Sequence, residues 1–356
     1  MSADDLVADD RLRDLLHLRA LPGIGDVRFR RLLDHYGDAE RALRAPAETL
    51  GREAAAARGS RAILGRVERA LDTIAEQQVV VRLRGERGYP RRLEQLAVPP
   101  PLLFARGRLE LLRGPAMTVV GSRRATEYGL DAARLLSADL ARAGFVIVSG
   151  LARGIDRAAH DGALAVRGDT VAVVGCGIDV SWPREHASLQ ERIAREGLLL
   201  SEFLPGEPPL RHNFPRRNRL LAALGLGVLV VEAGTKSGAR STVDHALDLG
   251  RDVFAVPGPI GRETSAGTNA LIQQGATLVT EVGDMLSEVR PAVTRTARQR
   301  SRLRERAGGA GEMTAGALRS ASGAASNVAG TCCGREEATL ASRGRLATPA
   351  SAPPAT

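Results

Sequence analysis

From residue 117 onward the apolar positions fall into short unbroken runs, at 117–120, 145–148, 171–174, 198–200, 228–231, 253–256 and 276–279. Between them, stretches such as YGLDAARLLSADLARAG and STVDHALDLG place apolar residues at the 3.6-residue spacing of an amphipathic helix. A strand that is apolar at every position is buried on both faces. Such strands alternating with helices predict an α/β fold, an extended Rossmann-like, doubly wound and mostly parallel sheet. Ligands of such a sheet gather where its strands end and the connecting loops open.

The flanks differ. Residues 11 to about 75 show helical spacing broken by Gly and Pro, and RLRDLLHLRALPGIGDVRFRRLLDHYG carries apolar residues either side of PGIG. This predicts a small helical domain over 1–75 with a helix-hairpin-helix (SAM-like) unit. Its glycine turn either presents backbone N–H groups to a phosphate or makes a plain interhelical turn. The Rossmann-like domain is then expected over 76–290. Beyond 290 the periodicity stops, and an Arg-rich segment leads into Ala, Gly, Ser, Thr and Pro, which bury too little surface to offset the entropy of ordering. A disordered basic tail is expected over 291–356.

Composition changes this picture in only a few places. At 356 residues and 44% hydrophobic content the chain can build a sizeable core. The net charge of +9 suggests a polyanionic partner, but ten arginines and four acidic residues follow residue 290, leaving +3 for residues 1–290. The position of the charges therefore carries the argument. Of 50 basic residues, 49 are Arg and one is Lys236. Three cysteines, Cys176, Cys332 and Cys333, have no metal-ligand spacing and suit a reduced, cytoplasmic setting. The acidic start MSADDLVADD does not resemble a signal peptide, and the longest apolar run, 220–231, is too short for a bilayer, so no membrane association is expected.

The loops at the strand ends hold the candidate chemistry. The first strand leads into GSRRATEYG, where Gly121, Ser122 and Arg123 outline a phosphate seat before a helix. The second leads into SGLARGIDRAAH, where Ser149, Gly150 and Gly154 let the backbone approach a ligand and Arg153 adds a cation. Asp156 and His160 share a helix face, either as an acid–base pair or as a first-turn carboxylate held by a hydrogen bond from the histidine. GCGIDV mimics a dinucleotide fingerprint but has Val180 where the third glycine belongs. In HNFPRRNRLLAALG, Arg216, Arg217 and Arg219 crowd the first turn of a helix beside Asn218, either as a solvated face or as a seat for something anionic. The loop EAGTKSGARST adds Lys236, Ser237 and Gly238. An edge this long and of one sign suits a chain of phosphates better than a single nucleotide.

The ordered series VVGSRRATEYG, VSGLARGIDRAAHDGAL, VAVVGCGIDVSWP, LLLSEFLPGEPP, NFPRRNRLLAAL, VLVVEAGTKSG and DVFAVPGPI…GTNALIQQGATLV resembles the DprA/Smf family of DNA-processing proteins, with a dense match from about residue 80 to 288. The resemblance implies a protein of natural transformation that binds single-stranded DNA, self-associates as a homodimer and hands the strand to the RecA recombinase. It implies no cofactor and no catalysed reaction. Carried over by motif, the DNA-facing residues are Ser122 and Arg123, Arg153 and Gly154, and Arg217, Asn218 and Arg219. Two departures stand out. Trp182 replaces a tyrosine in SWPREHA, leaving Arg184 or His186 to supply a polar contact, and no winged-helix pattern follows residue 290. The alternative is a Rossmann-like nucleoside-monophosphate glycosidase, but EAGTKSGARSTVD lacks that enzyme's double glycine and offers Asp244 instead of its glutamate.

Overall fold

The computed structural model describes residues 3–289, so the tail expected over 291–356 lies outside the described residues. The chain opens with six helices: α1 (Ala3–Ala20), α2 (Asp26–Tyr36), α3 (Ala39–Leu43), α4 (Ala47–Leu50), α5 (Arg52–Ala57) and α6 (Arg61–Glu76). Two strands follow, β1 (Val80–Leu83) and β2 (Leu102–Gly107). Then come β3 (Ala116–Val120), α7 (Glu127–Arg142), β4 (Val146–Ser149), α8 (Ile155–Ala165), β5 (Thr170–Val173), α9 (Ala187–Glu196) and β6 (Leu198–Ser201). The chain continues through α10 (Asn213–Leu224), β7 (Gly227–Val230), α11 (Ala239–Asp248), β8 (Asp252–Ala255), α12 (Glu263–Gln273) and β9 (Thr277–Leu278).

All the strands form one sheet in the order β1-β2-β6-β5-β4-β3-β7-β8-β9. Seven of them, β6 to β9 along that order, pair in parallel. Those seven are the runs the apolar pattern marked. The pattern missed β1 and β2, which pair antiparallel with each other and with β6. They join one edge of a parallel sheet, Arg82 and Arg106 interrupt their short apolar runs, and no α-helix separates them, so no alternation with helices announces them.

The period of two along each strand sorts the core. Val146 and Val148 point to the side covered by α10 and α11, whereas Ile147 between them points to α7 and α8. On β6, Leu198 and Leu200 join the first side, and Leu199 meets Ala172, Phe104 and the helical residues Leu16, Phe29 and Leu50. The amino-terminal helices thus extend the layer that α7 and α8 begin. Strand order reverses between β3 and β7, and at such a switch point two loops diverge and leave a crevice. The loops after β3 and β7 carry GSRRATE and EAGTKSG.

Candidate nucleic-acid interface

Arg216 and Arg219 are three apart on α10 and share one face, and Arg217 points about 100° away from Arg216. The two directions have different fates. Arg216 Nη2 donates to Asp26 Oδ1 at 2.6 Å and lies 3.2 Å from Glu202 Oε2. Arg219 Nη2 donates to Asp26 Oδ2 at 3.2 Å and also pairs with Glu202. Arg19 of α1 adds its guanidinium 3.7 Å from Asp26. Burial pushes the Glu202 carboxyl up from its usual range, and Arg219 and Arg216 pull it part of the way back. Asp26 directly follows the PGIG turn, so the anions that meet this cluster come from the chain itself.

Arg217 is 3% exposed. Its Nη1 donates to Gly150 O at 2.7 Å and also to Val173 O, and Nε donates to Asn218 Oδ1 at 3.3 Å. The expectation that Arg217 and Arg219 form an open anion seat is therefore corrected. Arg217 is spent on the carbonyl groups that end β4 and β5, and Arg219 on two carboxylates, because a buried guanidinium needs partners. Arg216 pairs with the same two carboxylates through Nη2 and stays about one-third exposed. Asn218 is half-buried and donates to Gly238 O at 3.4 Å, linking α10 to the loop before α11.

The first two strand-end loops are tied to each other. Ser122 N donates to Glu232 O at 2.6 Å, and Ile155 N donates to Ser122 O at 3.1 Å. Gly154, at φ +74°, sits so close to Ser122 that a Cβ would strike the carbonyl oxygen. At Gly150 a Cβ would come within 2.6 Å of Arg217 Nη2 and 2.7 Å of Asp156 Oδ2. Gly154 thus serves a close approach of backbone to backbone, and Gly150 makes room for the buried Arg217 and Asp156 side chains. Gly121 is equally confined, by Ile155 and the Glu232 carbonyl.

Three further expectations change. The anion seat foreseen at the start of α7 is occupied from within, since Glu232 Oε2 accepts from both Thr126 N and Thr126 Oγ1 at 3.0 Å. Ser149 is fully buried and donates to Val119 O at 2.7 Å, so it faces the sheet and not a ligand. His160 does not hold Asp156. Its Nδ1 lies 2.7 Å from Thr170 Oγ1, while Asp156 accepts from Ala152 N at 3.3 Å. Burial pushes the His160 ring down to about 3, which leaves an uncharged core histidine.

What stays open to solvent is narrower and more cationic. Arg123, Arg124, Arg184 and Lys236 are exposed and form no ion pair among the described residues. Arg124 was not singled out from the sequence, although its place beside Arg123 in the same turn was visible. Arg123 lies over the Phe214 ring at 5.5 Å, a cation–π contact that fixes the guanidinium at the mouth of the crevice. Arg153 is exposed and pairs with Glu185, whose carboxyl the arginine holds down at about 2. His186 is buried with Nδ1 3.0 Å from Leu151 O, so of the two residues considered in SWPREHA only Arg184 faces outward. Ser237 Oγ accepts from Ala239 N at 3.3 Å, and Gly238 precedes α11, so that turn displays Lys236. Trp182 and Tyr128, each about half exposed, flank the edge.

Fold and edge together define a doubly wound α/β protein with a solvent-open, basic rim at its topological switch point. The family model described as DNA recombination-mediator protein A matches residues 80–290, and the chain belongs to that family. It is 46% identical over 200 residues to the DNA processing protein DprA of Streptococcus pneumoniae, a match covering 56% of this chain and 71% of that one. The X-ray structure of DprA from Streptococcus pneumoniae superimposes with a TM-score of 0.65 at 35% identity, over 78% of this chain and 97% of the other. A structure of DprA from Helicobacter pylori, described for its single-stranded DNA binding mode, superimposes with a TM-score of 0.55 at 31% identity, over 60% and 97% of the two chains. Among the described residues no helix is long and apolar enough to cross a membrane.

Proposed function

We propose that the chain binds single-stranded DNA along the carboxyl edge of its sheet, shields incoming strands and passes them to the RecA recombinase during transformation. It does so as a homodimer in the cytoplasm, without a cofactor and without catalysing a reaction. The observation that carries this reading is the row Arg123, Arg124, Arg184 and Lys236, exposed cations on loops of one sheet edge that have no carboxylate partner among the described residues. Such a row attracts successive phosphates. Few aromatic rings lie beside it, so base stacking adds little and sequence preference is weak. The single-stranded DNA binding described for the Helicobacter pylori relative supports the same substrate.

The glycosidase alternative is not favoured. Asp244 pairs with Arg240 at 3.1 Å on the exposed face of α11, and Glu232 of the crevice accepts from Thr126 at the start of α7 through Oε2. Fluorescence anisotropy of labelled oligothymidylate against duplex of equal length, across a salt series, tests the proposal. Tight, salt-sensitive binding of the single strand is expected. Equal affinity for both, or steady release of base from nucleoside monophosphates, would defeat it.

A further inference from the structure

The hairpin Pro22-Gly23-Ile24-Gly25 between α1 and α2 takes no part in the rim described above, yet it lines a cavity of about 340 Å³ where the helical segment meets the sheet. The opposite wall includes Arg66 of α6, Phe203 after β6 and the first turn of α10. Three separate features of this wall suit an anion.

First, α2 begins directly after Gly25, which has no side chain to cap it, so the N–H groups of the first turn are not satisfied by a capping side chain. Second, the charges do not cancel. Arg19, Arg216 and Arg219 share Asp26 and Glu202, and Arg66 pairs with Glu207, so four cations meet three carboxylates and one positive charge is left over. Third, Asn213 lines the cavity at 2% exposure, and its Nδ2 has no hydrogen-bond partner among the described residues. A buried amide donor left unpaired is costly, and an oxygen-rich anion accepting from it removes that cost.

We propose that this cavity is a second phosphate site, built from the hairpin N–H groups, Arg19, Arg66, Arg216 and Asn213, which takes a phosphate of the strand held at the rim. Phe214 and Arg216 are two residues apart on α10. Arg123 over Phe214 and Arg216 over Phe203 therefore mark the two sides of that helix's first turn. A strand lying on Arg123 reaches the cavity by crossing this turn. The reading rests on the proposed binding of single-stranded DNA. The same phosphate chemistry is offered by a free nucleotide, and the experiment separates the two.

The variant Gly25→Asp makes the test. Gly25 has φ −81°, and no atom lies within 4 Å of a Cβ built there. Asp is a favoured capping residue, so the variant should melt at or above the wild-type temperature while its carboxylate competes for the site. Full-length wild type and variant are titrated with long oligothymidylate, with thymidine monophosphate and with inorganic phosphate. We expect the variant to bind the oligonucleotide about tenfold more weakly, with a slope of log affinity against log salt shallower by about 0.7. His212→Glu, at an exposed lining position, should act in the same direction and covers the case in which Gly25→Asp does not fold. Loss of thymidine monophosphate binding at unchanged oligonucleotide affinity keeps the phosphate site and assigns it to a free nucleotide. Wild-type binding of all three probes by both folded variants overturns it. If the wild type binds no oligonucleotide at all, the DNA reading fails, and the two small probes decide the cavity alone.

Discussion

Arg217 and Gly150 meet in the interior, where the arginine Nη1 donates to the glycine carbonyl at 2.7 Å and leaves no room for a Cβ on that glycine. A guanidinium on α10 thereby fixes the loop after β4, and through Val173 the end of β5. Arg123 and Arg153 stand on loops joined to this clamp, so a residue far from solvent sets the position of cations that face it.

Replacing the clamp should be costly. Arg217→Met leaves the Gly150 and Val173 carbonyl groups unpaired and removes the cation facing the buried Asp156, whose carboxyl burial already pushes up. We expect a loss of about 3 kcal/mol in unfolding free energy, read from urea denaturation. Wild-type stability in this variant would mean that the clamp is not formed.

The rim behaves oppositely. Arg123 is exposed, so Arg123→Ala should change stability by no more than about 0.5 kcal/mol. It should nevertheless reduce the salt slope of oligothymidylate binding by about 0.7, as expected for one lost phosphate contact. Lys236→Ala should do the same, and the two losses should add, since the residues lie on different loops. Unchanged affinity and slope in both variants would remove these loops from the interface.

Gly129 lies on the first turn of α7 against the Glu232 carboxylate, which occupies the space a side chain would need. Gly129→Ala must displace that carboxylate from Thr126. The expected cost is about 2 kcal/mol, visible as a lower melting temperature, together with weaker DNA binding as the Arg123 loop loosens.

Stability should also depend on pH through His160. The folded ring is held down to about 3, while the unfolded ring titrates near 6.5. Above 6.5 both states are neutral and the stability is fully present. As pH falls from 6.5 toward 3 the unfolded chain binds a proton that the folded chain refuses, and stability drops by at most about 1.4 kcal/mol per pH unit. Asp156 and Glu202, raised by burial, titrate in the opposite sense and lose stability as pH rises. Comparing wild type with His160→Asn cancels them. The variant should show a flatter acid limb, and an identical limb would count against a buried neutral ring.

Helix capping and ion pairing explain why part of the site escaped a linear reading. Arg216, Arg217 and Arg219 look alike in the sequence, and their spacing says only that they cannot share one face. Which of them meets water depends on Asp26, 190 residues from Arg216, and on Glu202. Glu232 is similar, because its role at the start of α7 requires β7 to lie beside β3.

The sequence by itself determined the seven parallel strands and the loops that gather at one sheet edge, because these follow from periodicity and strand direction, which are local. The tertiary structure alone decided which polar groups at that edge remain available. Arg217, Arg219, Ser149 and Glu232 were consumed by partners distant in the chain, and Arg123, Arg124, Arg184 and Lys236 were left in solvent. The physical reason is that burying a charge requires a partner, and only the folded chain places that partner.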